Sequence, residues 1–166
     1  AVLLAFGEWK PAPSQRADFL AYDYARDLRR AVPPGSSLLS SGDTASFALA
    51  YAALREPLGF ELGAARVLED PRAWAAARRP LYTTGLGQAD LAALGLDVAP
   101  AGLVQAAAPA APAAPVLVLR RARSWDAADS YEKDVLLSYA FASYISARLE
   151  EAKGRAPGPG YDLLAV

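Results

Sequence analysis

A chain of 166 residues with 54% apolar and 21% charged residues is the size of one domain and can bury a core, which excludes a disordered segment. Its 17 basic and 18 acidic residues leave a net charge of −1, so no chain-wide electrostatic footprint points to nucleic acid or an anionic membrane; only weak or local binding stays open. The absence of His and Cys removes the Ser–His–Asp triad, His-based and thiolate metal sites, the cysteine nucleophile and the disulfide, so no catalytic residue, metal or cofactor is assigned. The chain also lacks Met and is expected to be a processed product or a piece of a longer protein.

Ala1 to Phe6 is apolar but far shorter than the roughly 20 residues of a membrane span. It reads equally as a strand or as the tail of a preceding span. Ser14 to Val32, with Ser14 as a cap, has helical spacing through Phe19, Tyr22, Ala25 or Arg26, and Leu28 to Arg29, with Arg29 and Arg30 in the last turn and Pro33-Pro34-Gly35 as the stop. Ser36 to Ser41 reads as a short buried strand around Leu38-Leu39. Asp43 or Thr44 then opens a second helix through Phe47, Tyr51 and Leu54, ended by Pro57 and Gly59.

Residues 61–68 are a strand candidate, and Asp70-Pro71 pairs an N-cap with an N1 proline ahead of a short helix holding Trp74. Pro80 to Thr84 is a strand, Gln88 to Leu94 a helix ended by Gly95, and residues 97–105 are extended. Ala106 to Pro115 reads as an exposed Ala/Pro loop and Val116 to Arg120 as a strand. A long helix covers about Asp129 to Lys153, with Leu137, Phe141, Tyr144, Ile145, Leu149 and Ala152 as its apolar stripe and Gly154 as its stop. Short strands alternating with helices indicate a parallel or mostly parallel sheet with helical cover.

The stretch from Leu38 to Leu49 runs a strand through Ser-Gly-Asp straight into a helix, the place where open α/β sheets bind ligands. Its free N–H groups suit an anion or sugar hydroxyls. The same residues also read as a turn at Gly42 and a helix cap at Asp43. Thr83-Thr84-Gly85-Leu86-Gly87 ends another strand; if the two strands are neighbours, both loops line one crevice. Trp9, Trp74 and Trp125 could stack on a sugar but also read as packing residues. The acid pairs Glu69-Asp70 and Glu150-Glu151 read as helix-end or solvated-face charges, and the basic Arg120-Arg121-Arg123 as exposed in preference to a phosphate grip. The long helix, with Tyr131, Tyr139 and Tyr144, either packs on the sheet or docks a partner.

The order Tyr24-Ala25-Arg26-Asp27-Leu28, Pro33-Pro34-Gly35-Ser36 and Leu38-Leu39-Ser40-Ser41-Gly42-Asp43, followed by Ser46-Phe47 and Tyr51, resembles a bacterial family of polytopic membrane proteins of unknown function. That family is itself similar to protein O-mannosyltransferases and other GT-C type glycosyltransferases. Leu68 to Trp74, Arg79-Pro80-Leu81-Tyr82 and Pro100-Ala101-Gly102-Leu103-Val104 are similar to later segments of its C-terminal extracytoplasmic part. Thr44-Ala45 stands where the family has Asn-Asp, and Ala48 where it has proline. The catalytic acid of GT-C enzymes lies in an early extracytoplasmic loop, so the resemblance implies an accessory domain.

The expected fold is α/β, a Rossmann-like three-layer sandwich with a mostly parallel sheet, flanking helices and a long C-terminal helix. One soluble domain is expected over residues 1–166, with its core at about 15–154 and a Pro/Gly tail at 155–166. The expected function is that of a non-catalytic accessory domain on the extracytoplasmic face of a bacterial inner membrane. Its expected partners are the membrane-embedded part of the parent chain and a glycan or protein acceptor, with no nucleic acid. Candidate ligand-binding residues are Gly42, Asp43 and Thr44, with Thr84 and Gly85 opposite. The alternatives are a free-standing nucleotide- or sugar-binding domain and a protein-interaction module, the latter predicting an exposed apolar face on the long helix.

Overall fold

The computed structural model describes residues 20–107, 128–152 and 154. The expectations for Ala1 to Phe6, Ser14 to Phe19, Trp9, Trp125, Val116 to Arg120, Arg121, Arg123 and the tail from residue 155 lie outside the described residues. In chain order the elements are α1 (Leu20–Ala31), β1 (Ser37–Ser40), α2 (Asp43–Arg55), β2 (Glu61–Ala64), α3 (Pro71–Ala76) and β3 (Leu81–Thr84). They continue with α4 (Gln88–Leu94), β4 (Val98–Ala101), β5 (Val104–Ala107) and α5 (Ser130–Ala152). No helix among the described residues is long and apolar enough to cross a membrane.

The strands form an open five-stranded sheet in the order β2-β1-β3-β5-β4. β1 pairs in parallel with β2 and with β3, whereas β3–β5 and β4–β5 are antiparallel. The sheet is therefore mixed where a mostly parallel one was expected. The extended stretch at 97–105 is a hairpin that turns at Gly102, whose φ is +73°. Two residues between strands leave no room for the dozen or more that a parallel crossover needs. β5 also takes in Ala106 and Ala107, which composition alone assigns to a loop; Ala106 pairs with Tyr82, and both alanines are buried.

Successive side chains of a strand point to opposite faces. Leu38 accordingly joins a core with α1, α2 and α5, while Leu39 joins a second core with α3 and α4. Connection handedness accounts for this partition. The β1-to-β2 and β2-to-β3 crossovers travel in opposite directions along the sheet, so right-handed crossovers put α2 and α3 on opposite faces.

Several local signals hold at residue level. The Asp70 carboxylate accepts from the Ala73 N–H at 2.9 Å, with Pro71 at the first helical position. α4 ends at Gly95 with φ +67°. Asp129 and Glu132 satisfy each other's backbone N–H at 2.8 and 2.9 Å, a capping box that starts α5. β2 is shorter than expected, because a turn after Ala64 takes the N–H groups of Val67 and Leu68 back to its carbonyl.

The helix faces differ from the expected ones. α2 buries Ala45, Ala48 and Leu49 and exposes Phe47, Tyr51 and Leu54. α5 buries Val135, Tyr139 and Ala142 and exposes Leu137, Phe141 and Tyr144. In α1, Ala25 and Leu28 of the expected stripe face inward with Leu20 and Tyr24, whereas Tyr22 faces outward. In α2 the buried stripe is the one with the smaller side chains, two alanines and one leucine, whereas α5 buries Tyr139 and Val135 and leaves Leu137 and Phe141 outside.

Candidate functional site

The chain leaves the carboxyl ends of β1 and β3 toward opposite faces, since α2 belongs to one core and α4 to the other. Such a reversal between adjacent parallel strands is where α/β sheets open a ligand crevice. Here the two loops touch. The Ser41 N–H donates to the Thr84 carbonyl at 2.9 Å. A Cβ on Gly85, whose φ is +72°, would lie 2.0 Å from the Ser41 carbonyl oxygen. Glycine is required at that position both for its backbone angle and for this approach. β1 and β3 are neighbours, which meets the condition for a shared crevice, but no open space separates Ser41 from Gly85.

The opening lies one strand further along. A cleft of about 470 Å³ is bounded by the end of β3, the β4–β5 turn and α5. Thr84 and Gly85 line it, while Gly42, Asp43 and Thr44 are not among its lining residues. Its polar groups are mostly committed to one another. Thr83 Oγ1 donates to Gln105 Oε1 at 3.0 Å, and Thr84 Oγ1 to the Leu103 carbonyl at 3.3 Å. Behind them burial pushes the Tyr24 phenol up, while hydrogen bonds with Ser138 and Thr84 pull the other way. Leu86, Leu137, Phe141 and Ile145 supply apolar wall, and none of the described lining residues carries a charge.

The remaining candidates have partners of their own. Gly42 is the N-cap of α2, with φ +84° and no side-chain cap bond; Ser46 Oγ donates to its carbonyl at 2.8 Å. Asp43 is the first helical residue, not the cap, and its carboxylate meets Arg66 at 3.3 Å with both side chains well exposed. Thr44 Oγ1 donates to Asp134 Oδ2 at 3.2 Å, linking the starts of α2 and α5. The Gly-Asp turn therefore divides: Gly42 shapes the backbone, Asp43 faces solvent, and Thr44 ties two helices.

Trp74 is a packing residue. Its ring covers Gly63, where an added Cβ would fall 2.7 Å from the indole. The Arg78 guanidinium lies 4.2 Å from the centre of the Trp74 ring and grips Glu61 with two hydrogen bonds of 2.6 and 2.8 Å. That grip holds the Glu61 carboxyl below its ordinary value. Of the residues that build the cleft, Gln105, Ser138 and the exposed side of α5 carry no motif. They converge only because the hairpin returns beside β3 and α5 crosses its end.

Comparison of the chain with protein-family models, with curated proteins and with solved structures gives no match, so the assignment of a role rests on the residues and geometry above.

Proposed function

We propose that this α/β unit is a Rossmann-like three-layer sandwich serving as a non-catalytic accessory domain of a glycosyltransferase-like integral membrane protein. It sits on the extracytoplasmic face and holds a neutral part of a glycan or peptide acceptor in the cleft beside Thr84 and Gly85. The observation that supports acceptor binding is the uncharged lining of the cleft, while the membrane-protein context rests on the sequence resemblance. Apolar wall with a few hydroxyl and amide groups suits a sugar face or an uncharged peptide segment. A nucleotide fits it less well, because its phosphates would enter without a counter-charge. Helices on both faces of the sheet support the sandwich.

The first test is the parent gene upstream of Ala1. Several segments of about 20 apolar residues, with an acidic residue in the first outward loop, are expected. A start codon or signal peptide immediately upstream overturns the reading. In the full-length protein, Ser138→Phe fills the cleft and should raise KM for the acceptor while leaving donor hydrolysis unchanged. An unaltered acceptor KM in a folded variant removes the cleft from the proposal.

One observation favours a second reading, a protein-interaction module. Leu137, Phe141 and Tyr144 form an exposed apolar stripe along α5, the feature that this alternative requires. The two readings separate at Tyr144, which lies outside the cleft lining. Tyr144→Ser should leave acceptor binding intact under the first and weaken partner association under the second.

A further inference from the structure

A second groove, of about 300 Å³, runs between α1 and α2, away from the cleft. Arg26, Arg29 and Arg30 of α1 and Arg55 of α2 line it, together with Tyr22 and Tyr51. Arg26 is held by Asp23 at 3.1 Å and Asp27 at 3.3 Å, and Arg29 pairs with Glu56. Arg30 stands 3.8 Å from the Asp27 oxygen that Arg26 already engages. Arg55 meets no carboxylate among the described residues; its Nη2 donates to the Tyr51 hydroxyl at 3.3 Å and its guanidinium lies 5.7 Å from that ring's centre. The groove therefore carries an excess of positive charge. The carboxylates of α1 are buried, while Arg30 and Arg55 reach solvent.

Arginines in the last turns of two helices complement the helix dipoles, and that accounts for the charge alone. It does not account for the apolar side chains beside it. Phe47 is 67% and Leu54 83% exposed, one turn before and one turn after Tyr51 on the same side of α2. Tyr22 and Tyr51 are exposed with them. Cations, tyrosines and exposed apolar side chains within a turn of one another on α2, next to the arginines of α1, are the composition of a surface that rests in a lipid headgroup layer. A soluble phosphate would use the arginines and have no use for Phe47 and Leu54.

We infer that the α1–α2 face docks on an anionic phospholipid surface, with Arg30 and Arg55 taking lipid phosphates while Phe47 and Leu54 enter the headgroup–acyl boundary. This surface is independent of the cleft and of the acceptor reading. The test is cosedimentation of the 166-residue chain with phosphatidylcholine vesicles, with and without phosphatidylglycerol, at low and high salt. Binding to the anionic vesicles that fades with salt is expected. R30A together with R55A should weaken it about thirtyfold, and Phe47→Ser about tenfold without changing the charge.

No vesicle binding, equal binding to neutral vesicles, or binding of inorganic phosphate without vesicles overturns the assignment. So does a folded double variant that binds undiminished. If the double variant does not fold, Arg55→Gln and the salt dependence of the unaltered chain decide, and insensitivity in both overturns it.

Discussion

Tyr139 of α5 donates a hydrogen bond to Asp27 Oδ2 of α1 at 2.9 Å, and both side chains are buried. Its ring lies 6.0 Å from that of Tyr24. Together these contacts seat the long helix on the first one and place its Ser138 beside Thr84. Tyr139→Phe should cost about 1–3 kcal/mol in denaturant unfolding, since it leaves a buried carboxylate short of a donor. A loss under about 0.3 kcal/mol would show that the bond does not seat α5.

Burial, with Asp27 adding to it, pushes the Tyr139 phenol well above its ordinary value, and burial raises Tyr24 and Tyr131 as well. A group whose folded value is raised stabilises the fold fully below its unfolded value, and that stability is lost as pH climbs through and above it. Stability measured by urea unfolding should therefore be level to about pH 9 and fall above about pH 10. Tyr139→Phe should flatten part of the fall. A decline as steep in the variant as in the parent would contradict the assignment.

Two aspartates at helix starts have different jobs. Asp70→Ala removes a side-chain cap and should cost about 0.5–2 kcal/mol. Asp43→Ala removes only an exposed pair with Arg66 and should stay within about 0.5 kcal/mol. Equal costs from chemical denaturation would mean that Asp43 does cap α2.

Gly85 and Gly95 both hold positive φ, and they separate strain from collision. Nothing lies within 4 Å of a Cβ built on Gly95, whereas one on Gly85 strikes the Ser41 carbonyl oxygen at 2.0 Å. Gly95→Ala should cost about 1–2 kcal/mol, the penalty of the backbone angle. Gly85→Ala should cost more than about 3 kcal/mol and disturb both the β1 and β3 ends. Thermal melts of the two variants give the comparison, and similar values would rule out the loop contact.

The two faces of α5 make a parallel contrast. Val135→Ala, at a fully buried site, should destabilise by about 2 kcal/mol. Phe141→Ser, on the exposed stripe, should leave stability within about 0.5 kcal/mol. The reverse order would restore the packing face that spacing alone suggests.

Much of the fold was legible locally. Asp70-Pro71, the Gln88-to-Gly95 helix, the Pro33-Pro34-Gly35 stop and the β1 stretch obey short-range rules of capping, backbone angle and apolar runs, and the structure keeps them. Of the candidate site, Thr84 and Gly85 line the cleft, while Gly42, Asp43 and Thr44 serve the turn, the solvent face and a helix tie. No spacing rule brings Gln105 and Ser138 to Thr84, because the hairpin and α5 reach it from distant parts of the chain.

The sequence by itself determined where α2, α3 and α4 begin and end and where β1 and β3 lie, because caps, glycine angles and prolines act within a few residues. Tertiary structure alone decided the antiparallel half of the sheet and the contact that closes the β1–β3 crevice. It also decided which stripe of α2 and α5 faces inward. Those outcomes depend on which surfaces meet and how closely. An alanine stripe lets a helix approach where Phe47, Tyr51 and Leu54 would hold it away, and a period of 3.6 residues describes both stripes equally well.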